Sequence, residues 1–510
     1  MRSSRAATAA LALASALATA RAEAGVAAVW AVNDGEKVKQ DDLAHPAKGR
    51  NSAWDGKTIR LFGAGNEVIA VQVIVEADAK GIDALSASMP GLRRRGGEGR
   101  IAYAPPAADP SDAVGRPIQL FSVHYMNVTQ PTHADWAWKP DSPASPKDLT
   151  GWKPVQLVPE NARAGRGGFP LKVAPRRSQA VWIEVYTGRG RRPGIYEGAL
   201  ALKADGETRG VPVELELMDF TLPDANSMDA MVYYEPDQAE LYQGRNLDDA
   251  FHRFAHRQRV ELVHAYDEAK LEAHPGRFDG SDFTRARGYE GPGEGVGNRI
   301  APASFYGPGR GWDDRATAWR RADAWMSLLA ALLPKAITFL YMPDEPRPPP
   351  NPGPGRRLPV FVTKHWVKEL DGAIDIWCAA PQYYDIARAE EQRARGRRYW
   401  TYNGGRPAAG AMTIDAPATD PRATIWGCFK HHVDVYFYWH GVHWRHNSQK
   451  QGQRNQDVWA DPITFDNRGQ PNKEDFGILN GDGVLLYPGE EKLHPAEDRG
   501  VPGPVGTIQL

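Results

Sequence analysis

"RATAWRRADAWMSLLAALLPKAITFLYMPDEP", residues 315–346, decides the fold. Trp319, Ala322, Trp325, Leu329 and Leu332 recur at helical spacing while Arg320, Arg321 and Asp323 fall outside that stripe, which predicts an amphipathic helix packed on a core. Pro334 closes it. "AITFLYMPDEP" then reads as a buried strand, broken at its end by Pro343 and Pro346, that delivers two adjacent acids, Asp344 and Glu345.

The same rhythm extends on both sides. "MDAMVYYE" (228–235) is strand-like, "LDDAFHRFAHRQRV" (247–260) helical and "VELVHAYDE" (260–268) strand-like again. Downstream, "VFVTKHWVKEL" (360–370) reads as a helix, and "AIDIWCAAPQYYD", "RRYWTYNGG" and "HVDVYFYWHGVHW" read as strands. Alternation of this kind over residues 223–510 predicts an α/β fold, a (β/α)8 TIM-like barrel. Residues 25–222 differ, with short apolar or alternating runs between Gly, Pro and Asp turns. "EVIAVQVIVEA" (67–77) is apolar at both parities, and Val213, Leu215 and Leu217 alternate with Glu214 and Glu216 after a turn at Asp205-Gly206. An N-terminal β-sandwich is expected there, with "TLPDANSM" (221–228) as the linker.

Residues 1–24 combine a basic start, an apolar run and small residues before Ala22 and Ala24, the pattern of a secretory signal peptide too short for a permanent span. The expectation is an exported protein, periplasmic or extracellular. Lys plus Arg (62) and Asp plus Glu (63) nearly cancel, which removes the electrostatic case for a nucleic-acid partner. Two cysteines, Cys378 and Cys428, exclude a disulfide-built scaffold and leave open one bridge or two buried thiols. Sixteen Trp and 18 Tyr supply flat rings of the kind that hold sugars, although most large aromatics fill cores.

In a (β/α)8 barrel the chemistry sits at the carboxyl ends of the strands, where Asp344 and Glu345 fall. An acid pair there also suits helix capping or pairing with arginine. The other strand ends carry Tyr, Trp, His, Asn and acids. Tyr234, Asp267, Trp377, Tyr383, Tyr402, Asn403, Trp439, His440, His443 and Asp482 are therefore the candidate substrate-binding residues. Each of the aromatics is equally suited to filling the barrel.

The strand "GNEVIAVQV", the strand end "YMPDEP", "VDVYFYWHGVHW", and "NGDGVLLYPG" leading to "PGPVGTIQL" together resemble glycoside hydrolase family 123 and the broader group carrying the domain of unknown function 4091. The likeness spans almost the whole chain after residue 24. It implies a β-sandwich ahead of a (β/α)8 barrel and a retaining β-N-acetylgalactosaminidase acting on a terminal 2-acetamido sugar without a cofactor. It further implies Glu345 as general acid/base and Asp344 as the residue that orients the acetamido group, whose own oxygen serves as nucleophile. The family pattern runs past "GTIQL" into a helical segment, so the resemblance implies that a sequence ending at Leu510 is truncated.

Histidines 440, 443 and 446 lie three apart, with His431 and His432 upstream, but positions three apart on a strand face opposite ways and no HExxH frame accompanies them, so no metal site is expected. "DNRGQPNKEDFG" and "NGDG" match no calcium loop and read as turns. The glycine-rich 288–299 lacks a phosphate-loop lysine and reads as a lid over the cleft or a mobile loop. Two rival functions stay open: a non-catalytic carbohydrate-binding surface protein, and a glycosidase of neutral sugars using the same two acids. The oligomeric state is not legible.

Overall fold

A computed structural model describes residues 25–138, 142–308, 312, 315–342, 358–448, 451–468 and 477–510. Asp344 and Glu345, and the expected signal peptide 1–24, lie outside the described residues.

Residues 26–221 form two mainly antiparallel sheets that share one core. Five strands order as Val26–Asn33, Val68–Ala77, Ser178–Tyr186, Ile118–Val128 and Gly151–Pro159. In the second sheet Gly194–Ala204 pairs with Glu207–Thr221 through the expected two-residue turn. Asp205 (φ 48°) and Gly206 (φ 93°) are both left-handed, as a type I′ hairpin requires. Alternation then puts Val213, Leu215 and Leu217 inside and leaves Glu214 outside, where it meets Arg60 and Arg95. Val73, Val75, Ile183, Leu200 and Leu215 join the two sheets in one apolar cluster.

The second half is an α/β arrangement built on a parallel sheet. Its strands are β1 (Asp229–Tyr233), β2 (Val260–Val263), β3 (Leu340–Tyr341), β4 (Val360–Val362), β5 (Ile376–Ala379), β6 (Arg398–Tyr402) and β7 (Val435–Tyr438). They order as β2-β1-β7-β6-β5-β4-β3. Residues 299–303 bridge the two edges. Ala301 and Ala303 donate backbone N–H groups to Ile337 and Phe339 (2.9 Å each), and Tyr266 donates to Pro302 from the β2 side (2.9 Å). Beside β2 a side chain replaces the ladder: the Glu261 carboxylate accepts the N–H groups of Arg299 and Ile300 at 2.9 Å. Burial, with the nearby Asp229 charge, pushes this carboxyl up to about 8 against the pull of those two amides.

Strand parity divides the side chains. Met231, Val263, Phe361, Cys378, Trp400 and Phe437 converge inside, while Val232, Leu262 and Tyr436 on one part of the wall and Trp377 and Tyr399 on another face outward. The cysteines are separate buried thiols, Cys378 inside and Cys428 on the outer wall.

Three expectations need correction. "VFVTKHWVKEL" is not a helix: Val360–Val362 is a strand, with only a 3-10 turn at Lys368–Leu370, because a β-branched and aromatic run suits a sheet better than a helix. The helix Arg315–Leu332 buries Ala322, Trp325 and Leu329 as predicted, but Trp319 and Leu332 are exposed, so its core face is narrower than the stripe. Segment 288–299 is no lid. It packs at the amino-terminal side of β1 and β2, where Gly293 donates to Asp224 (3.1 Å), His256 Nε2 lies 3.1 Å from the Gly293 carbonyl and Tyr289 is buried. No helix among the described residues is long and apolar enough to cross a membrane.

Candidate functional site

The carboxyl end of β1 begins the site. Tyr233 faces inward and stacks on Phe305 (centroids 4.6 Å apart), with Tyr306 at 4.8 Å and His440 at 5.0 Å in edge contact. From His440 the cluster continues to His443 (5.3 Å) and Trp439 (5.4 Å), and His443 lies flat on Phe465. Tyr233, Phe305, Tyr306 and Trp439 are each only partly buried, so ring faces and edges remain available at this end of the sheet.

Trp439 is held from three sides. Its indole N–H donates to Asp482 Oδ1 at 3.1 Å, its backbone N–H donates to Asn403 Oδ1 at 3.1 Å, and its carbonyl accepts the Tyr306 hydroxyl. Asn403 can serve because it adopts φ 53°, a conformation asparagine tolerates better than most residues. Asp482 Oδ1 also accepts the Tyr438 hydroxyl at 3.1 Å. Gly483, at φ 83°, lets the turn press against the ring, since a Cβ there would sit 2.5 Å from Trp439 Cζ2. This gives the glycines of "NGDG" a steric purpose.

Charge is arranged unevenly around the rings. Burial pushes the Asp482 carboxyl up to about 6, opposed by its hydrogen bonds from Trp439, Tyr438 and Gly483. Burial also works on Glu235, but His440 and Arg445 overcome it and hold that carboxyl down to about 2. The Arg445 guanidinium lies 2.6 Å from Glu235, and His440 Nε2 3.6 Å. His440 Nδ1 accepts the Val442 N–H at 3.1 Å, which assigns the proton to Nε2, facing Glu235. His443 Nε2 takes the Asn447 amide at 3.0 Å, leaving its buried Nδ1 without a hydrogen-bond partner among the described residues. Burial lowers the pKa of both histidines, opposed in each case by the Glu235 carboxylate.

Of the residues expected to bind substrate, Asn403, Trp439, His440, His443 and Asp482 come together here, and Tyr402 lies half-buried near Phe437. Tyr383 is exposed beyond β5, beside His365. Three do not face the site. Tyr234 is one position out of phase with Tyr233 and packs outside against Phe251 and His252. Trp377 is likewise the outward neighbour of Cys378 and is fully buried on the outer wall. Asp267 caps the helix Glu268–Ala273, accepting the Lys270 N–H at 2.9 Å. Sequence reasoning missed Tyr233, whose inward parity was legible from the alternation in "MDAMVYY". It also missed Phe305, Tyr306 and Glu235, which lie outside any strand, and Arg445, which opens the four-residue strand Arg445–Ser448; none of them follows a period. Among the described residues no cluster of three or more His, Cys, Asp or Glu is positioned to hold a metal.

Fold and site together define an α/β protein whose aromatic and acidic groups gather at the carboxyl ends of parallel strands. The chain shares its fold with a family 123 glycoside hydrolase from Clostridium perfringens, described for glycolipid glycan hydrolysis, at 11% identity and a TM-score of 0.59 over 94% of this chain and 85% of that one. The family resemblance carried by "YMPDEP" and "NGDGVLLYPG" is thus met at the level of fold. A Parabacteroides merdae β-glucuronidase (10% identity, TM-score 0.24, 72% of this chain and 45% of that one) and the CooA pilin subunit of enterotoxigenic Escherichia coli (12%, 0.15, 37% and 98%) are too distant to carry an argument. No family model and no curated protein matches the sequence.

Proposed function

We propose that the chain is an exported glycoside hydrolase, a retaining β-N-acetylgalactosaminidase or β-N-acetylhexosaminidase, in which a β-sandwich (25–222) precedes a (β/α)8 barrel (223–510). One observation carries the reading. The strand β3, whose Tyr341 belongs to the inner cluster, runs in the same parallel sheet as β1 and β7, so its carboxyl end lies at the end of the sheet that carries the Tyr233, Trp439 and Asp482 cluster. In the sequence Asp344 and Glu345 follow Tyr341 by three and four positions.

In this reading Trp439, fixed by Asp482 and Asn403, stacks on the sugar, and Tyr233 and Tyr306 border it. Glu345 protonates the leaving oxygen. Asp344 holds the acetamido N–H while the acetamido oxygen attacks the anomeric carbon, so the substrate supplies its own nucleophile and a water later opens the cyclised intermediate. No metal or organic cofactor is required, and residues 1–24 direct export.

The test is a panel of nitrophenyl glycosides. Turnover of the β-2-acetamido galactoside or glucoside, inhibition by a thiazoline and loss of activity in Glu345→Gln support the proposal. Equal turnover of the plain β-galactoside would falsify the substrate-assisted mechanism, and retention of glycans without turnover of any glycoside would overturn the enzyme.

A further inference from the structure

Trp439 is held by two segments that are themselves held from outside the parallel sheet. Asn403, which receives its backbone N–H, opens the connection from β6 to the helix Thr419–Lys430, and Asp415 lies later in that connection. Asp482, which receives its indole N–H, lies two positions after the short strand Ile478–Asn480. Thr132, four positions beyond the strand Ile118–Val128 of the five-stranded sheet, sits between these two segments.

Thr132, Asp415 and Asn480 are all buried. The Thr132 backbone N–H donates to Asp415 Oδ2 at 2.6 Å, and its hydroxyl donates to Oδ1 at 2.7 Å. The same hydroxyl accepts the Asn480 backbone N–H at 3.1 Å and the Asn480 side-chain amide at 3.2 Å. That amide also donates to Asp415 Oδ2 at 3.3 Å and to the Gln130 carbonyl at 2.9 Å. A hydroxyl donates and accepts through one atom, so Thr132 joins a buried carboxylate to two N–H donors, and each of those groups would be costly to leave without a partner.

Further contacts close the same joint. Lys37, from the sheet half of the chain, donates to the Ile414 and Ala416 carbonyls at 2.7 Å each, on either side of Asp415. His133 extends the strand Ile478–Asn480 through the backbone, donating to the Ile478 carbonyl and accepting the Gly477 N–H, both at 2.7 Å. Gly481, at φ 68°, lets the turn press on the β6 connection, since a Cβ there would sit 2.6 Å from Ile414 Cδ1. Slack at Thr132 therefore reaches Trp439 by two short routes, through Asp482 and through the segment that begins at Asn403.

We propose that Thr132, Asp415 and Asn480 are positioning residues for Trp439, a buried latch through which the sheet half of the chain sets where the sugar stacks. This role rests on the reading of Trp439 as the surface that receives the sugar.

The test replaces the 16 tryptophans with 5-fluorotryptophan and follows the fluorine resonance of Trp439, identified by its loss in Trp439→Phe. Thr132→Val keeps the shape of the side chain and removes the hydroxyl. The Trp439 resonance should move or broaden, and KM for the β-2-acetamido glycoside should rise about fivefold while kcat holds within about twofold. Thr132→Ser restores the hydroxyl and should return both toward the parent. Lys37→Met should move the resonance by a smaller amount, and it serves in place of Thr132→Val if that variant does not fold. Thr187→Val is the control: it removes another buried hydroxyl of the sheet half, one bonded to the Ala64 carbonyl, and should lower the unfolding midpoint while leaving the Trp439 resonance and KM in place. A resonance unmoved in the folded Thr132→Val protein, or in Lys37→Met where that one serves, overturns the proposal, as does one moved equally by Thr187→Val. A moved resonance with unchanged KM upholds the latch and removes instead the reading of Trp439 as the sugar's platform.

Discussion

Asp482 and Trp439 are joined by a 3.1 Å hydrogen bond from the indole N–H to Oδ1, and the same oxygen receives the hydroxyl of Tyr438. One carboxylate therefore orients two neighbouring rings at the end of β7. Asp482→Ala should leave Trp439 free to rotate and raise KM for the preferred glycoside about tenfold, corresponding to about 1.4 kcal/mol, with a smaller effect on kcat. Steady-state kinetics on the variant checks this, and an unchanged KM would remove Trp439 as a platform.

Gly483→Ala tests the same contact sterically. The added Cβ meets Trp439 Cζ2 at 2.5 Å in a backbone with φ 83°, so a loss of about 1–3 kcal/mol is expected, with a matching rise in KM. Chemical denaturation and kinetics on one preparation measure both.

Glu345→Gln should lower kcat by about 10²- to 10⁴-fold, the usual scale for losing a general acid, while leaving the unfolding midpoint in place. A 2-acetamido substrate with a better leaving group, which needs less protonation, should recover part of the rate in Glu345→Gln but not in Asp344→Asn. A variant as active as the parent would disprove the assignment.

Glu235 and Glu261 make opposite pH predictions. The Glu235 carboxyl is held near 2, below its ordinary 4.5, so the unfolded chain takes up the proton first on acidification and the contribution of Glu235 is lost as pH falls from about 4.5 toward 2. In Glu235→Gln that acid-side loss should shrink. The Glu261 carboxyl is raised from 4.5 to about 8, so the folded state holds its proton longer and stability declines as pH rises through that interval. Glu261→Gln keeps an acceptor for the two amides and should flatten the decline. Glu261→Ala leaves the N–H groups of Arg299 and Ile300 without it and should cost about 2–5 kcal/mol. Melting curves from pH 3 to 9 separate the three variants.

The sequence revealed strand and helix alternation well where a period was clear. The alternating "VPVELEL" hairpin and the helix at 315–332 form where expected, because each carries one strong apolar face. Parity was the weak link. Tyr233 and Tyr234, or Trp377 and Cys378, differ by one position, and in strands apolar on both faces composition does not say which neighbour points inward. "VFVTKHWVKEL" misled because four apolar residues spaced through charged ones imitate a helix face, while the local backbone follows Val360, Phe361 and Val362 into the sheet. The segments that bring Glu235, Phe305 and Arg445 to the rings, the last a four-residue strand, are too short to carry a repeat that can be read.

The replacement of a backbone ladder by the Glu261 side chain marks a seam in the parallel sheet. A ladder shares its load over many bonds, whereas here two amides depend on one acid, and losing a single residue's grip can part the strands locally. Thermal breathing should start there, and deuterium should enter Arg299 and Ile300 earlier than the β1 and β7 amides, the more so in alkaline solution where the seam carries a buried charge.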